Sequence, residues 1–186
     1  KIYPLVLLPL LLVYVARRSG RREAGITLGA FAAALAVMVV PFALIAPEGL
    51  VDSVERQLGR PLQIESLGAS LLLAAKQLGL YNPVVVSSHG SQNLDESLPD
   101  ALAGGQTVLH AAELIAVCIL FPRGPATPER RVAACAASVV VFVSFGKVLS
   151  PQFLIWLVPV ALLLGGAIGV AAGVLFGAVL VTTQLW

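Results

Sequence analysis

The chain has 186 residues, of which 58% are hydrophobic and only 12% are charged, and its mean hydropathy is +0.93. A soluble domain of this size needs polar residues over most of its surface, so this composition argues against one. It is typical of a polytopic α-helical membrane protein, because several apolar runs approach the roughly 18 residues of a membrane span. The formal net charge of +2 carries little information, and we expect no nucleic-acid partner.

The sequence opens on Lys1 without an initiator Met, inside an apolar run, and closes on Trp186 inside another. We therefore expect a piece of a larger protein. Cys118 and Cys135 both fall within predicted spans, where we expect small apolar packing residues and no disulfide.

Apolar runs separated by polar breaks predict an all-α bundle of about five or six transmembrane spans. The predicted spans are at about residues 2–16, 25–46, 101–121, 132–145, 152–165 and 167–185, although the last two could form one. Residues 47–100 form a polar segment between spans. Within it, residues 61–79 predict an amphipathic helix that is interfacial or re-entrant. Glu65 and Lys76 argue against a span there, since each charge would cost about 2.5–3.5 kcal/mol at mid-bilayer.

Arginines concentrate in two short loops, residues 17–22 and 123–131, which two predicted spans separate. Both loops therefore lie on one side, which the positive-inside rule makes cytoplasmic. Segment 47–100 and the polar corner FGKVLSPQ, residues 145–152, then face the other side. We expect these two polar features to share the extracytoplasmic face of the plasma membrane.

Two polar stretches of the outer segment are candidates for a site. In GRPLQIESLGAS, Gln63 and Ser66 share one face of the predicted helix, and that face together with Arg60 could line a cavity. The alternative is a helix that only packs against the spans. VVVSSHGSQNLDES has the composition of a surface loop, in which His89 is more often structural or solvated than catalytic.

The third candidate is the corner KVLSPQ. Pro151 suits the first position of a new helix, which places Gln152 in a first turn whose free N–H groups favour an anion, above all phosphate. Lys147 would add a positive charge to that site. The alternative is that Lys147 only extends to lipid headgroups.

The stretch KVLSPQFLIWLVP resembles the K-x-x-S-P-Q-[YF]-x-x-W-x-x-P signature of integral-membrane glycosyltransferases of the GT-C superfamily. The closest likeness is to the polyprenyl-phosphate-mannose-dependent mannosyltransferases of glycosyltransferase family 87. KIYPLVLLPLLL with its arginine cluster, RPLQIESLGASLLL and GSQNL are similar to family elements in the same order. The resemblance implies transfer of a sugar, mannose in that family, from a polyprenyl-phosphate donor to an extracytoplasmic lipid or glycan acceptor of the cell envelope.

The polar stretches and the resemblance together give eight substrate-binding candidates: Arg60, Gln63, Glu65, Ser66, His89, Lys147, Ser150 and Gln152. Lys147, Arg60 and the helix start at Gln152 would hold the donor phosphate. The family keeps its catalytic acidic residue in an outer loop that we expect upstream of Lys1, so no catalytic residue is assigned. No cofactor motif or metal-ligand spacing is evident, and a divalent cation, though compatible with the chemistry, is not indicated.

Two other classes of function remain open from the sequence. A lipid or sugar transporter or flippase also uses polar residues in broken helices, but the charges here cluster at one face and no inverted repeat is visible. A non-catalytic assembly subunit would use the outer segment to bind a partner. Membrane lipids are partners under every interpretation.

Overall fold

A computed structural model describes residues 3–184, and most of them are helical. The α-helices are α1 (Leu8–Ser19), α2 (Arg21–Ile45), α3 (Pro47–Leu58), α4 (Leu67–Gln77), α5 (Ser97–Leu120), α6 (Pro128–Ser144), α7 (Leu157–Leu163) and α8 (Gly166–Gln184). Short 3-10 helices cover Tyr3–Leu7, Phe121–Arg123 and Pro151–Trp156, and the strands are β1 (Leu62–Gln63), β2 (Val84–Ser88) and β3 (Ser91–Asp95).

Three helical stretches of the described chain are long and apolar enough to cross a membrane, namely Arg21–Ile45, Ser97–Arg123 and Gly166–Gln184. No residue of α2 or α8 is buried, so their apolar side chains face outward, as a lipid environment requires. These features are consistent with a membrane protein.

The predicted count of five or six spans is not confirmed. α1 has 12 residues, α6 has 17, and the 3-10 helix at Pro151–Trp156 with α7 continues only to Leu163. Each is shorter than the roughly 20 residues that cross a bilayer without tilt or thinning. Residues 2 and 185, at the outer limits of the first and last predicted spans, lie outside the described residues.

Most of the described chain is helical, as predicted, but residues 47–100 also contain a small sheet that an all-α bundle does not include. Antiparallel strands form a sheet in the order β1-β3-β2, with Leu62 and Val85 both paired to Leu94. The predicted surface loop at residues 84–97 is therefore wrong over β2 and β3. Its β-branched valines favour a strand. The turn residues His89 and Gly90 have φ of 54° and 73°, the positive values that a two-residue hairpin turn needs.

The amphipathic helix predicted at residues 61–79 is confined to α4. Leu62 and Gln63 instead pair with β3, and Ser66 caps α4 by accepting a hydrogen bond from the Ala69 N–H at 3.4 Å. Helix α3 was not predicted from the sequence; it begins at Pro47 and ends at Leu58, just before Gly59. Both differences arise because a polar break at residues 59–66 separates two short helices.

Two apolar cores hold the chain together. We call residues 47–100 the cap, and its core joins the sheet and α4 to the start of α5 through Leu62, Ala69, Leu72, Leu94 and Ala103. The second core lies among α6, α7 and the 3-10 helix between them, centred on Val139, Val143 and Leu154. Cys118 and Cys135 are free thiols.

Hydrogen bonds define two ends of the helix bundle. The Arg17 guanidinium donates to the carbonyls of Pro122 at 2.9 Å and Gly124 at 2.7 Å, so both basic loops meet at what we call the arginine end, residues 17–22 and 121–131. α5 and α6 run antiparallel from it to the opposite end. There the Gln106 side chain of α5 donates to the carbonyls of Phe145 at 3.2 Å and Gly146 at 2.9 Å. The cap and the corner 145–152 therefore lie at the end opposite the arginine end.

Candidate functional site

An open cleft of about 560 Å³ lies between the C-terminal end of α3 and the turn that joins β2 to β3. Its lining residues are Arg56, Gln57, Arg60, Ser88, His89 and Gly90. Two guanidinium groups and one imidazole line it, and no acidic side chain is among the lining residues. An anionic group is therefore the ligand that the lining favours.

Arg60 is held in place by the hairpin turn. Its Nη2 donates to the His89 carbonyl at 3.3 Å and to the Ser91 hydroxyl at 2.8 Å. Its Nε is buried and has no hydrogen-bond partner within residues 3–184. The guanidinium is thus fixed on one side and retains a free donor on the other.

The turn itself is fixed by Asn93 of β3, which is fully buried. The Asn93 amide donates to the Ser88 carbonyl at 2.7 Å and to the Ser88 hydroxyl at 2.9 Å, and its oxygen accepts from the Ser91 hydroxyl at 3.1 Å. These bonds stabilise the left-handed conformation of His89, which a non-glycine residue rarely adopts. His89 is therefore presented at the cleft on a rigid support.

Lys147 contacts α3 and does not line the cleft. Its Nζ donates to the Leu58 carbonyl at 2.6 Å, one of the last carbonyls of α3 that lack a partner within the helix. Partial burial lowers the pKa of the Lys147 amine below its usual 10.5. The contact ties the corner to the helix that carries Arg56, so the contribution of Lys147 in this structure is positional.

Gln63 lies where the cap meets the corner, and its side chain is only 4% exposed. Its backbone N–H donates to the Lys147 carbonyl at 3.1 Å, and its Nε2 lies 3.5 Å from the Ser150 hydroxyl. Its Oε1 and the Oε2 of Glu65 are both buried without a hydrogen-bond partner in the described chain. The structure thus brings three of the predicted residues, Gln63, Lys147 and Ser150, into one contact.

Two predicted residues lie elsewhere. Ser66 is fully buried and is the N-terminal capping residue of helix α4. Gln152 is exposed, in a six-residue 3-10 helix that begins at Pro151. A helix does begin at Pro151 with Gln152 in its first turn, as predicted, but residues 151–156 take the tighter 3-10 form and α7 begins only at Leu157. No N-terminal anion site is therefore assigned there.

The sequence analysis missed Arg56 and Gln57 because it missed α3. Pro47 and Glu48 at its start, and apolar residues at the helical spacing of Leu50, Val54 and Leu58, are the signals that could have found it.

The sequence analysis also missed Gln106 of α5, which is 7% exposed and fully paired. Its Oε1 accepts from the Gly68 N–H at 2.8 Å while its Nε2 donates to the end of α6. It therefore joins the cap to the bundle. The sequence feature that could have indicated Gln106 is a single side-chain amide within an apolar helix, because such a group is costly in a membrane unless it is paired.

Within residues 3–184 no group of three or more His, Cys, Asp or Glu side chains is arranged to hold a metal ion. Comparison of the chain with models of protein families, with curated proteins and with solved structures finds no match.

Proposed function

We propose that this chain forms the donor-binding region of a membrane glycosyltransferase that uses a polyprenyl-phosphate sugar, a mannosyltransferase by the resemblance of its KVLSPQFLIWLVP stretch. The observation that carries the proposal is the cleft at the end of α3, the helix that Lys147 of that stretch contacts, with two arginines and no acid among its lining residues. The cleft binds the donor's phosphate. The acceptor is a lipid or glycan, and the reaction displaces the lipid phosphate from the anomeric carbon.

The electrostatics of the cleft suit both binding and departure of a phosphate. Charge-assisted hydrogen bonds from the guanidinium groups of Arg56 and Arg60 would contribute about 1.5–3 kcal/mol each. As the bond to the sugar breaks, negative charge grows on the lipid phosphate. The same donors then stabilise the transition state more than the bound substrate, which lowers the barrier. The catalytic acidic group is not assigned to this chain.

The surroundings of the cleft suit a lipid-linked donor. Val51, Val54 and Leu58 of α3 are each more than half exposed, and α3 continues directly from the apolar helix α2. A helix of this type lies in the membrane interface with its apolar side in the acyl region. A polyprenyl chain can therefore remain in the membrane while its phosphate enters the cleft.

The end of the bundle that holds the cleft sets the reaction's side of the membrane. The arginine end carries seven of the twelve basic side chains, Arg17, Arg18, Arg21, Arg22, Arg123, Arg130 and Arg131. Such short basic loops favour the cytoplasmic side. In this proposal the cleft, at the opposite end, opens at the extracytoplasmic face of the plasma membrane.

The test is sugar transfer from radiolabelled polyprenyl-phosphate mannose by the full-length protein in proteoliposomes, with Arg56→Gln and Arg60→Gln variants. Loss of one charged contact predicts a rise of about 10- to 100-fold in the donor KM. Arg18→Gln at the arginine end is the matched control and should leave KM unchanged. Wild-type kinetics in both cleft variants would overturn the assignment of the cleft. Lipid or sugar movement across the membrane without a glycosylated product would favour a transporter.

A further inference from the structure

Unpaired polar atoms are concentrated in one short segment of the cap. Five buried side-chain atoms in the described residues lack a hydrogen-bond partner. Three of them, the Nε of Arg60, the Oε1 of Gln63 and the Oε2 of Glu65, fall within six consecutive residues. The other two, on His110 and Ser138, lie singly in α5 and α6.

Solvent cannot easily supply the missing hydrogen-bond partner at Gln63. Its side chain is 4% exposed, and its backbone is fixed on both sides, because its N–H donates to the Lys147 carbonyl and its carbonyl accepts from the Ser66 N–H at 2.9 Å. A buried amide oxygen without a donor costs about 1–3 kcal/mol. Such atoms are rare in native proteins and need an explanation, and a ligand that supplies the donor is the one proposed below.

The mixture of groups selects the class of ligand. A divalent cation suits the oxygens of Gln63 and Glu65 but is repelled by the Arg60 guanidinium. A phosphate suits Arg60 but is repelled by Glu65. Neutral hydroxyls suit each of the three groups, because a hydroxyl both donates and accepts. A reversed Gln63 amide, with its N–H groups unpaired instead, would be satisfied by a hydroxyl as well.

We infer that residues 60–65 form a subsite for sugar hydroxyls, with Gln63 and Glu65 as acceptors and Arg60 shared with the phosphate cleft. The inference rests on the proposed function, in which sugar and phosphate belong to one donor molecule. Recognition is then divided between two places: the cleft binds the phosphate, and residues 60–65 bind the sugar.

The test compares the binding of polyprenyl-phosphate mannose and of bare polyprenyl phosphate to the full-length protein by titration calorimetry in detergent. Wild-type protein should prefer the mannosylated lipid by about tenfold or more, as two hydroxyl contacts predict. Gln63→Leu should remove most of this preference and leave the Kd for bare polyprenyl phosphate unchanged. Gln77→Leu, the same change at an exposed position of α4, is the matched control. Glu65→Gln is a second variant, which keeps the shape of the side chain and removes its charge.

The outcomes separate this inference from the proposed function. Equal binding of the two lipids by wild-type protein, or an intact preference in both variants, overturns the sugar subsite. If Arg56→Gln still weakens the binding of both lipids in that case, the phosphate cleft stands. If neither lipid binds, both proposals are wrong.

Discussion

The two ends of the helix bundle both carry arginines but use them differently. At the arginine end, Arg17 donates to two carbonyls of the loop that follows α5, and Arg130 donates to the carbonyls of Leu120 at 2.8 Å and Phe121 at 3.3 Å. At the cap end, Arg56 lines the cleft and Arg60 keeps a buried Nε without a partner in the described chain. Arginines that pair with backbone carbonyls at a helix end serve the fold, whereas arginines that line a concave site and keep donors unpaired are candidates to bind a ligand.

The difference has a local cause at each end. The last carbonyls of α5 have no partner within the helix, and a guanidinium that reaches them satisfies the backbone and complements the helix dipole. At the cap end, Arg60 donates through its Nη2 to the His89 carbonyl and the Ser91 hydroxyl. Its Nε has no hydrogen-bond partner among the described residues. The variants below test whether pairing, and not charge alone, separates structural from ligand-binding residues.

Gln106 is the fully paired group at the cap end, and its replacement has the largest expected effect. Gln106→Leu leaves the buried Gly68 N–H and the partly buried carbonyls of Phe145 and Gly146 without their partner. At about 1–3 kcal/mol for each unsatisfied group, the free energy of unfolding should fall by roughly 3 kcal/mol or more. The measurement is thermal unfolding in detergent.

Gly68→Ala is an independent test of the same contact. A Cβ at Gly68 would come within 2.7 Å of the Gln106 Oε1, so we expect a loss of about 1–3 kcal/mol. Gly105→Ala is the matched control, because nothing lies within 4 Å of a Cβ there. Equal unfolding temperatures for Gly68→Ala and Gly105→Ala would contradict the role given to Gln106.

Lys147 sharpens the comparison because it is a paired cation at the cap end. Lys147→Met removes the hydrogen bond to the Leu58 carbonyl and should lower stability by about 1 kcal/mol. The donor KM should rise less than in Arg60→Gln, since Lys147 supports the cleft without lining it. Lys76→Met, at an exposed position of α4, is the control for the substitution. A larger rise in KM for Lys147→Met than for Arg60→Gln would make Lys147 the phosphate ligand, as the sequence predicted.

Long apolar runs in the sequence predicted a membrane protein. Helices α2, α5 and α8 coincide with predicted spans. The same hydropathy pattern could not establish whether α6 crosses the membrane, because α6 is apolar but has only 17 residues. The sheet was missed since Ser87–Ser91 has a loop's composition. β1 was missed because its two residues, Leu62 and Gln63, form a strand only by pairing with Leu94 and Asn93, more than 20 residues away. The meeting of Gln63 with Ser150 follows from tertiary packing, which composition alone does not specify.

The smallest effect is expected at Tyr81, a paired group of the cap remote in sequence from Arg60. Its hydroxyl donates to the Glu96 carboxylate at 2.5 Å. This hydrogen bond, with slight burial and the nearby negative charge, raises the pKa of Tyr81 above its usual 10.0. The hydrogen bond therefore stabilises the folded state below pH 10.0, and this stabilisation is lost as the pH rises through the higher pKa of the folded state. The difference in absorbance at 295 nm between wild type and Tyr81→Phe should therefore titrate above pH 10.0.

Sugar transfer at neutral pH should be unchanged in Tyr81→Phe, because the Tyr81 hydroxyl is already paired within the protein. A loss of transfer there would show that pairing does not mark a residue as structural.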